Sequence, residues 1–248
     1  MLTEERFAKI LSIVDAKGSV TVGDLMTELD ASESTVRRDL ITLSKTGRLS
    51  KVRGGAISKK RTYLTTDDDV MKRAGRNADE KLMVAKYAAD LIRDNDFVYI
   101  DAGTTTEHIM DGNLNRKAVY VTNAVNHAKR LSAAGCTVQL LGGEFKNTTE
   151  AIVGEAAVLA LTKYNFTKGF FGTNGITVEK GCTTPEIKEG LVKQAALANC
   201  EERYILADDS KFGEISAVKF CDFDDVIILT NRIPDRTYEK YRNIVEVM

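Results

Sequence analysis

Three consecutive segments at the start of the chain repeat one spacing of apolar residues. The first runs from Phe7 to Val14, the second from Val22 to Leu29 and the third from Val36 to Leu43. In each segment the apolar positions recur three or four residues apart, which places them on one face of an α-helix. Helices this short are stable in water only when these faces pack together, so the spacing predicts a small bundle of three helices.

The residues around these segments mark the helix boundaries. Gly47 follows the third helix, while Thr21 and Ser32 stand where their side chains can cap the second and third helices. Only residues 30–32 separate the second helix from the third. So short a connection is typical of a helix-turn-helix, in which the later helix presents its outer face to DNA.

The outer face of the third helix carries hydroxyl and basic side chains. Together with the capping Ser32, six residues that avoid its apolar stripe are predicted to contact DNA: Ser34, Thr35, Arg37, Arg38, Thr42 and Lys45. Arginine suits this role because its planar guanidinium group binds two acceptors on guanine or clamps a phosphate.

A glycine pair, Gly54 and Gly55, lies between two short apolar pieces and predicts a β-hairpin that would form a wing. We expect Lys51, Arg53 and Gly54 to contact DNA, with Arg53 in the minor groove. From Arg37 to Arg61 there are nine Lys or Arg residues and one acid, Asp39. Helix and hairpin would therefore form one positive surface able to neutralise several phosphates.

Charge is divided unevenly along the chain, although the formal net charge is only -1. Residues 1–61 contain 12 basic and 8 acidic residues, and residues 62–248 contain 23 and 28. This balance excludes both a uniformly basic nucleic-acid coat and an acidic disordered chain. Three helices with a solvated basic face could also form a protein-interaction module, but the order of trihelix, basic helix and basic hairpin favours DNA binding.

Residues 62–80 are polar and lack periodicity, which indicates a linker between a DNA-binding domain at 1–61 and a second domain at 81–248. In the second domain helical and strand patterns alternate. Strands such as Val226–Leu229 are apolar on both faces, as parallel strands covered by helices must be. The pattern predicts an α/β domain. We expect its strands at 97–100, 119–122, 138–141, 169–172, 204–207 and 226–229, with helices between them and a short terminal helix and strand.

Ligands of such sheets bind beyond the carboxyl ends of the strands. Polar or flexible residues follow the predicted strands at these positions: Asp101, Asn123, Gly142, Gly143, Asn174, Gly175, Asp208 and Lys211. The carboxylates and amides suit sugar hydroxyls, and Lys211 or Lys193 could supply a charge for a phosphate. The alternative for each residue is local: Asn and Asp commonly stabilise turns, and Lys193 could be solvated on its helix.

The segment Gly103-Thr104-Thr105-Thr106 resembles a phosphate cradle, because glycine permits close approach of the backbone and threonine hydroxyls donate hydrogen bonds. It lacks the Gly-Lys-Ser/Thr ending of a nucleotide P-loop and the Gly-x-Gly-x-x-Gly of a dinucleotide site, so neither nucleotide triphosphate nor NAD is expected. The same segment could simply turn a strand into a capped helix.

No metal site, cofactor or disulfide frame is expected. Cys136, Cys182, Cys200 and Cys221 include no Cys-x-x-Cys pair, so they are interpreted as buried thiols. His108 and His127 lack a nearby nucleophile and receive no catalytic role. The opening residues lack the pattern of a secretory signal and no apolar run is long enough to span a bilayer, so a cytoplasmic protein is expected.

Two motif groups resemble the DeoR family of repressors. The first is Ser32–Leu40 followed by Arg53–Ala56, and it resembles the N-terminal domain of that family. The second, in the same order as the family's sensor-domain motifs, comprises residues 101–106, 121–123, 141–143, 171–175 and 207–213. The resemblance covers the chain from about residue 1 to its end. Arg53 stands where the family usually has His, and Asp209 where a small residue or Pro is common.

The resemblance implies a C-terminal domain with the fold of ribose-phosphate isomerases and CoA transferases, which binds a phosphorylated sugar and catalyses nothing. The fructose operon repressors of Gram-positive bacteria are most similar, which implies fructose 1-phosphate as inducer. Tagatose 6-phosphate is an alternative effector. A homodimer or homotetramer on double-stranded operator DNA is expected.

From the residues alone, two other protein classes remain open. One is a sugar-phosphate isomerase with a regulatory N-terminal module and Asp101, Glu107 or Glu189 as general base. The other is an architectural DNA-binding protein without a ligand.

Overall fold

The computed structural model describes residues 2–58, 63–64, 75–234 and 237–247. The chain divides into two compact units, Met1–Thr62 and Tyr63–Met248. Most of the expected linker at 62–80 lies outside the described residues. Its described parts are Tyr63–Leu64, which form a strand, and residues 75–80, which include the start of a helix at Ala78.

The first unit contains the three expected helices, α1 (Thr3–Lys17), α2 (Val22–Leu29) and α3 (Glu33–Lys45). Their apolar stripes form one buried cluster, in which Leu25, Val36 and Leu40 have no exposed surface. The caps are also formed: Thr21 Oγ1 accepts the Asp24 amide at 3.1 Å, and Ser32 Oγ accepts the Thr35 amide at 3.4 Å. The predicted three-helix bundle is confirmed.

A three-stranded antiparallel sheet completes this unit. It joins β1 (Ser19–Thr21), β2 (Leu49–Val52) and β3 (Gly55–Ser58) in the order β1-β3-β2. The turn between β2 and β3 is Arg53-Gly54, and Gly54 has φ +87°, a conformation that L side chains rarely adopt. A Cβ on Gly55 would lie 2.0 Å from the Val20 carbonyl oxygen. The wing is therefore confirmed, and its glycine pair is required both by the turn and by packing on β1.

The second unit is built on a seven-stranded parallel sheet of order β17-β16-β13-β10-β5-β6-β7. Its strands are β5 (Phe97–Ile100), β6 (Val119–Thr122), β7 (Thr137–Leu140), β10 (Phe166–Gly172), β13 (Cys200–Leu206), β16 (Ile227–Thr230) and β17 (Ile244–Glu246). Alternate residues of the central strands enter two buried clusters, one on each face. The predicted parallel α/β sheet is confirmed.

Helices cover both faces of this sheet. Helix α4 (Ala78–Asp90) contributes Val84, Ala85, Ala88 and Ala89 to the cluster on one face. Helices α6 (Glu155–Leu161) and α7 (Ile187–Ala198) pack on the other. Helix α5 (Val125–Ala133) follows β6. This layering explains why the strands are apolar on both faces.

Three features differ from the sequence-based expectation. The helix expected from about residue 105 is a short 3₁₀ helix, Thr106–Asp111. Instead of a terminal helix, turns occupy residues 237–240 before β17. Short strands that were not expected follow β7, β10 and β13: β8 (Glu144–Lys146), β9 (Ala151–Val153), β11 (Gly175–Thr177), β12 (Gly181–Thr184), β14 (Ile215–Ser216) and β15 (Val218–Cys221). These strands have two to four residues, too few to show an alternating pattern.

The strand β4 (Tyr63–Leu64) pairs in parallel with β14. The chain that enters the second unit is therefore hydrogen-bonded to that unit at residues 63–64. Among the described residues, no helix is long and apolar enough to cross a membrane.

Candidate functional site

The candidate DNA-binding surface lies on α3 and the wing. Of the residues predicted to contact DNA, Thr35 is half-buried and the rest are exposed: Ser32, Ser34, Arg37, Arg38, Thr42, Lys45, Lys51, Arg53 and Gly54. Arg48, between α3 and the wing, is also exposed and was not singled out by the sequence reasoning. The nine-to-one excess of basic over acidic residues from Arg37 to Arg61 was the signal that could have included it.

The acids of this region are held in two different ways. Asp39 is buried and accepts two hydrogen bonds from Arg6, from Nε at 2.5 Å and from Nη2 at 3.2 Å. Glu33 is exposed and binds Arg37, with 2.6 Å between Glu33 Oε1 and Arg37 Nη2. Because Asp39 is buried, its negative charge does not reduce the positive charge of the outer surface. Arg37, in contrast, would have to break its ion pair with Glu33 before it could bind an acceptor on DNA.

Hydroxyl groups at the start of α3 are linked to one another. Ser32 Oγ lies 3.1 Å from Ser34 Oγ and 2.9 Å from Thr35 Oγ1. Thr42 Oγ1 donates to the Arg38 carbonyl oxygen at 3.1 Å. Ser32 thus caps the helix, while the exposed Ser34 hydroxyl lies beside the free amides of the first turn, where phosphates bind.

In the second unit the candidate effector residues gather at the carboxyl edge of the sheet. Asp101 follows β5, and its carboxylate forms a buried ion pair with Lys193 of α7. Lys193 also donates to the Gly172 carbonyl oxygen at 3.1 Å, and the Gly172 amide donates to Asp101 at 3.2 Å. Burial raises the pKa of Asp101, and this effect is larger than the lowering of the pKa by the positive charge of Lys193. Lys193 is therefore occupied by protein groups rather than solvated.

Some candidates at this edge stabilise local structure. Asn123 accepts the Ala102 amide at 2.8 Å and donates to the Ile152 carbonyl oxygen at 3.2 Å. Thr106 is fully buried and donates to the Asp101 carbonyl oxygen at 2.6 Å. Asn174 Oδ1 accepts from Thr184 at 3.3 Å.

Among the glycine candidates, one is required by packing and the others are at least partly exposed. A Cβ on Gly175 would lie 2.4 Å from the Glu214 carbonyl oxygen, so glycine is required there by the close approach of two backbones. Gly142 and Gly143 are exposed between β7 and β8, and Gly103 is half-buried ahead of Thr104 and Thr105.

Helix α4 brings two residues to this edge that the sequence reasoning missed. Lys81 is a charged residue within the apolar stripe of the helix and is only 3% exposed. Its Nζ lies 3.2 Å from Thr104 Oγ1. Asn77, which caps α4, donates from Nδ2 to Asp208 Oδ1 at 2.8 Å. A lysine among Val84, Ala85 and Ala88 at helical spacing was the available signal, since burial of an ammonium group is costly unless it is paired.

Asp208, which follows β13, has an unusual carboxylate. Oδ1 accepts hydrogen bonds from Asn77 and from the Ser210 amide, whereas the buried Oδ2 has no partner among the described residues. An unpaired buried oxygen of this kind commonly marks a ligand or a functional constraint. Lys211 is half-exposed three residues further on. It lies near Glu214, whose pKa is raised by burial and lowered by the Lys211 charge.

A second buried acid, Glu189 of α7, accepts from Thr149 Oγ1 at 2.5 Å and from Lys146 Nζ at 3.1 Å. Burial raises the pKa of Glu189, but the Lys193 charge and these hydrogen bonds outweigh it and the pKa is lowered. On the opposite face, burial and Arg130 lower the pKa of His127 to about 3. The His127 ring is hydrogen-bonded to the Gly103 backbone and remains neutral, so it adds no positive charge to the cradle.

Two clefts lie at the other edge of the sheet, where the strands begin. The larger cleft has a volume of about 400 Å³ and is lined by the end of α4 and by residues 113–117. The smaller cleft has a volume of about 200 Å³, and its lining includes Lys168 and Glu202. In the larger cleft Lys117 is paired with Asp94 at 2.6 Å, and in the smaller one Lys168 is paired with Asp96 at 2.9 Å. The unpaired Asp208 oxygen and the buried Lys81 favour the carboxyl edge as the ligand site.

Comparison with known proteins gives matches over both units. Residues 6–62 match the DeoR-like helix-turn-helix domain, and residues 76–232 match the DeoR C terminal sensor domain. The chain is 39% identical over 251 residues to the uncharacterized HTH-type transcriptional regulator FruR of Bacillus subtilis (strain 168), covering 100% of this chain and 99% of that protein.

Two further similarities complete the comparison. The chain is 34% identical over 253 residues to the lactose phosphotransferase system repressor of Staphylococcus aureus (strain NCTC 8325 / PS 47), covering 100% of both proteins. Ribose 5-phosphate isomerase A of Methanocaldococcus jannaschii aligns with 55% of this chain and 55% of its own, with a TM-score of 0.40 and 16% identity.

Proposed function

Because the chain belongs to the DeoR family of transcriptional regulators, we propose that it represses a sugar-utilisation operon and releases its operator when a phosphorylated sugar binds the second unit. The chain is a regulator and not an enzyme, since relatives that match its whole length are named regulators and repressors. We propose that it acts in the cytoplasm, where operator DNA and sugar phosphates meet.

The DNA-binding half of the proposal is supported by the exposed basic face of α3 and the wing. Arg37 and Arg38 would reach base edges or phosphates in the major groove, and Lys51 and Arg53 would contact the backbone and minor groove from the wing. A homodimer or homotetramer would bind paired half-sites. Their spacing would be roughly 34 Å, one helical turn, or a multiple of it.

The effector half is carried by one observation: a buried lysine, Lys81, lies against Thr104 of the predicted phosphate cradle. Lys81 is thus proposed beside Lys193 as a cation for the phosphate, and Lys193 also holds Asp101 in an ion pair. Asp208 Oδ2 provides an acceptor for a sugar hydroxyl, and Lys211 provides a second cation. A phosphate at Lys81 and hydroxyls near Asp208 match the two ends of a sugar phosphate.

Fructose 1-phosphate is the proposed effector, and a fructose phosphotransferase operon the proposed target. The support is the resemblance of Leu2–Arg6, Ala31–Leu40, Asp101–Thr106, Leu140–Gly143 and Lys211–Ser216 to fructose operon repressors. Tagatose 6-phosphate is the second candidate as another phosphorylated sugar. Several relatives at 32–34% identity are named lactose phosphotransferase system repressors, so sugars other than fructose are included in the test.

A thermal-shift panel tests the effector half. The full-length protein is heated with fructose 1-phosphate, tagatose 6-phosphate, ribose 5-phosphate, glucosamine 6-phosphate, unphosphorylated fructose and inorganic phosphate. One sugar phosphate should raise the unfolding temperature in a concentration-dependent way, because a ligand that binds the folded state stabilises it. A well-folded protein that responds to none of them would reject the proposed site.

The DNA half is tested with duplexes selected by the protein from a random library. Selected sequences should contain a two-fold repeat, and the sugar phosphate found by thermal shift should weaken binding. Selection of no sequence, or operator binding that every sugar phosphate leaves unchanged, would contradict repression relieved by an effector. Tighter binding with the effector would indicate corepression instead of induction.

A further inference from the structure

One segment of the second unit, Asp208–Ser216, contacts both described ends of the chain that enters this unit. We refer to these nine residues as the coupling segment. At its beginning, Asp208 accepts the hydrogen bond from Asn77. At its end, Ile215 and Ser216 pair with Tyr63 and Leu64. Residues 63–77 are the stretch through which the chain passes from the DNA-binding unit to helix α4, so the coupling segment is bonded to both sides of it.

The first of these contacts depends on a single carboxylate. Asp208 Oδ1 accepts from Asn77 Nδ2 at 2.8 Å, from the Ser210 amide at 3.1 Å and from the Ser210 hydroxyl. Oδ2, on the same carboxylate, is buried and has no partner within the described part of the chain. Both oxygens belong to one planar group, so any rotation of the carboxylate that brings Oδ2 towards a new donor also moves Oδ1. A ligand hydroxyl at Oδ2 would therefore be felt at Asn77.

Asn77 is suited to respond to such a change. Its φ of 51° lies in the left-handed region, which asparagine adopts more readily than most residues. Its Nδ2 also lies 3.3 Å from Ser210 Oγ, and its carbonyl oxygen accepts the Lys81 amide at 3.0 Å. Asn77 thus begins the helix that carries Lys81 to the phosphate cradle. One residue connects the sugar end of the candidate site, the phosphate end and the incoming chain.

The end of the coupling segment is fastened inside the unit. The Gly213 amide donates to the Ile176 carbonyl oxygen at 2.8 Å, and the Ser216 amide donates to Thr183 Oγ1 at 2.9 Å. These bonds tie the pairing of β14 with β4 to the β11-β12 hairpin. The pairing at Ile215 and Ser216 accordingly carries any movement of the coupling segment to residues 63–64, whereas the contact at Asp208 lies next to an unpaired oxygen.

We propose that the Asn77–Asp208 hydrogen bond is the contact through which effector binding is transmitted to the chain leading to the DNA-binding unit. This inference rests on the proposed function. A sugar hydroxyl donated to Asp208 Oδ2 turns the carboxylate and weakens its bond to Asn77. The coupling segment is thereby released from Asn77 and shifts, and the shift reaches residues 63–64, where the chain connects to the DNA-binding unit, through their pairing with Ile215 and Ser216. Asn77 is a positioning residue in this scheme and does not itself bind the sugar.

The test measures operator affinity with and without fructose 1-phosphate for the full-length protein and two variants. Asn77→Gly removes the amide and keeps a residue that accepts positive φ. Asn95→Gly is the matched control, because Asn95 is exposed, has φ 67° and lies in the turn before β5 at the opposite edge of the sheet. The wild-type ratio of the two affinities is expected to lie between about 5 and 150.

Asn77→Gly should still bind the operator and fructose 1-phosphate, but its affinity ratio should fall towards 1. Asn95→Gly should keep the wild-type ratio. A merely structural role for Asn77 would lower the unfolding temperature and leave the ratio unchanged, which would overturn the inference alone. A wild type that binds no sugar phosphate would overturn the proposed function and the inference together.

Hydrogen exchange on the wild type provides a measurement that does not depend on a variant. Fructose 1-phosphate should change amide exchange in peptides that cover residues 75–81 and the coupling segment. If fructose 1-phosphate stabilises the protein but leaves exchange in both peptides unchanged, the Asn77–Asp208 contact does not transmit binding.

Discussion

Arg6 of α1 holds Asp39 of α3 through two hydrogen bonds, at 2.5 and 3.2 Å. Asp39 is 3% exposed, and it is the one acid in the sequence from Arg37 to Arg61. These hydrogen bonds both fix α3 on α1 and keep the negative charge of Asp39 away from the exposed basic face of α3. The hydrogen bond to Asp39 raises the pKa of Arg6.

Replacing Asp39 by Leu should lower the unfolding temperature of the first unit by several degrees, because it leaves the partly buried Arg6 without its acid. The double variant Arg6→Met with Asp39→Leu should recover most of the loss. Calorimetry of the three proteins checks this. Equal destabilisation of the single and the double variant would show that the pair contributes nothing beyond packing.

Arg38→Ala should weaken operator binding by about 1–3 kcal/mol if Arg38 contacts a base edge. If it contacts a phosphate, the slope of log affinity against log salt should decrease in magnitude by about 1. Fluorescence anisotropy at several salt concentrations separates the two. Lys163→Ala removes an exposed lysine of the second unit and should change neither quantity. An Arg38→Ala protein with wild-type affinity and slope would reject α3 as the recognition helix.

Glu33→Gln should strengthen operator binding. Glu33 is an exposed acid on the DNA-binding face and holds Arg37 at 2.6 Å. Its replacement removes a charge that repels phosphates and frees Arg37, while the exposed ion pair itself contributes little stability. Anisotropy at low salt should show the gain, and the gain should shrink in the Arg37→Ala background. Weaker binding by Glu33→Gln would mean that Glu33 positions Arg37 for DNA.

Lys81→Met should abolish stabilisation by the sugar phosphate, because it removes the buried cation beside Thr104. Lys168→Met is the matched control: Lys168 is also buried, but it is paired with Asp96 where the strands begin, at 2.9 Å. Both substitutions should lower stability, and only Lys81→Met should lose the thermal shift. Retention of the full shift by Lys81→Met would remove Lys81 from the effector site.

The free energy of unfolding should decrease as the pH is lowered below 6.5, and His127 should account for part of the decrease. Burial, with the nearby Arg130 charge, lowers the pKa of His127 from 6.5 to about 3 in the folded state. The unfolded chain therefore binds a proton that the folded protein excludes, and folding loses stability as the pH falls from 6.5 towards 3. Between pH 6.5 and 5 the loss is about 2 kcal/mol.

His127→Gln removes the titrating group and keeps a hydrogen-bonding side chain near Gly103. Its unfolding free energy, from urea titrations at pH 7, 6 and 5, should decrease less steeply than that of the wild type. Parallel curves for the two proteins would show that His127 is accessible to protons in the folded state.

Much of the fold could be predicted from the sequence because local patterns report it. The apolar stripes of α1 to α3, the caps at Thr21 and Ser32, and the glycine pair of the wing each depend on a few neighbouring residues. The central strands were also predictable, since β5 and β6 are continuous apolar runs. The short hairpins around the carboxyl edge were missed, because strands of two to four residues have no periodicity to recognise.

The candidate site shows the same limit. Asp101, Thr104 and Asp208 were identified because they directly follow strands. Lys81 and Asn77 were missed because they reach the edge from α4, more than 20 residues before Thr104 and more than 100 before Asp208 in the sequence. Lys193 was a candidate for the phosphate, but its ion pair with Asp101 depends on how α7 packs against β5 and β10.

The sequence by itself determined the three-helix bundle, the basic outer face of α3 and the parallel sheet, because these depend on helix and strand periodicity and on where charge falls along the chain. Only the tertiary structure decided which polar and charged groups are paired: Arg6 with Asp39, Lys193 with Asp101, and Asn77 with one oxygen of Asp208. The reason is physical. Pairing of buried polar groups depends on distances between elements that are remote in the chain, and those distances exist only once the layers have packed.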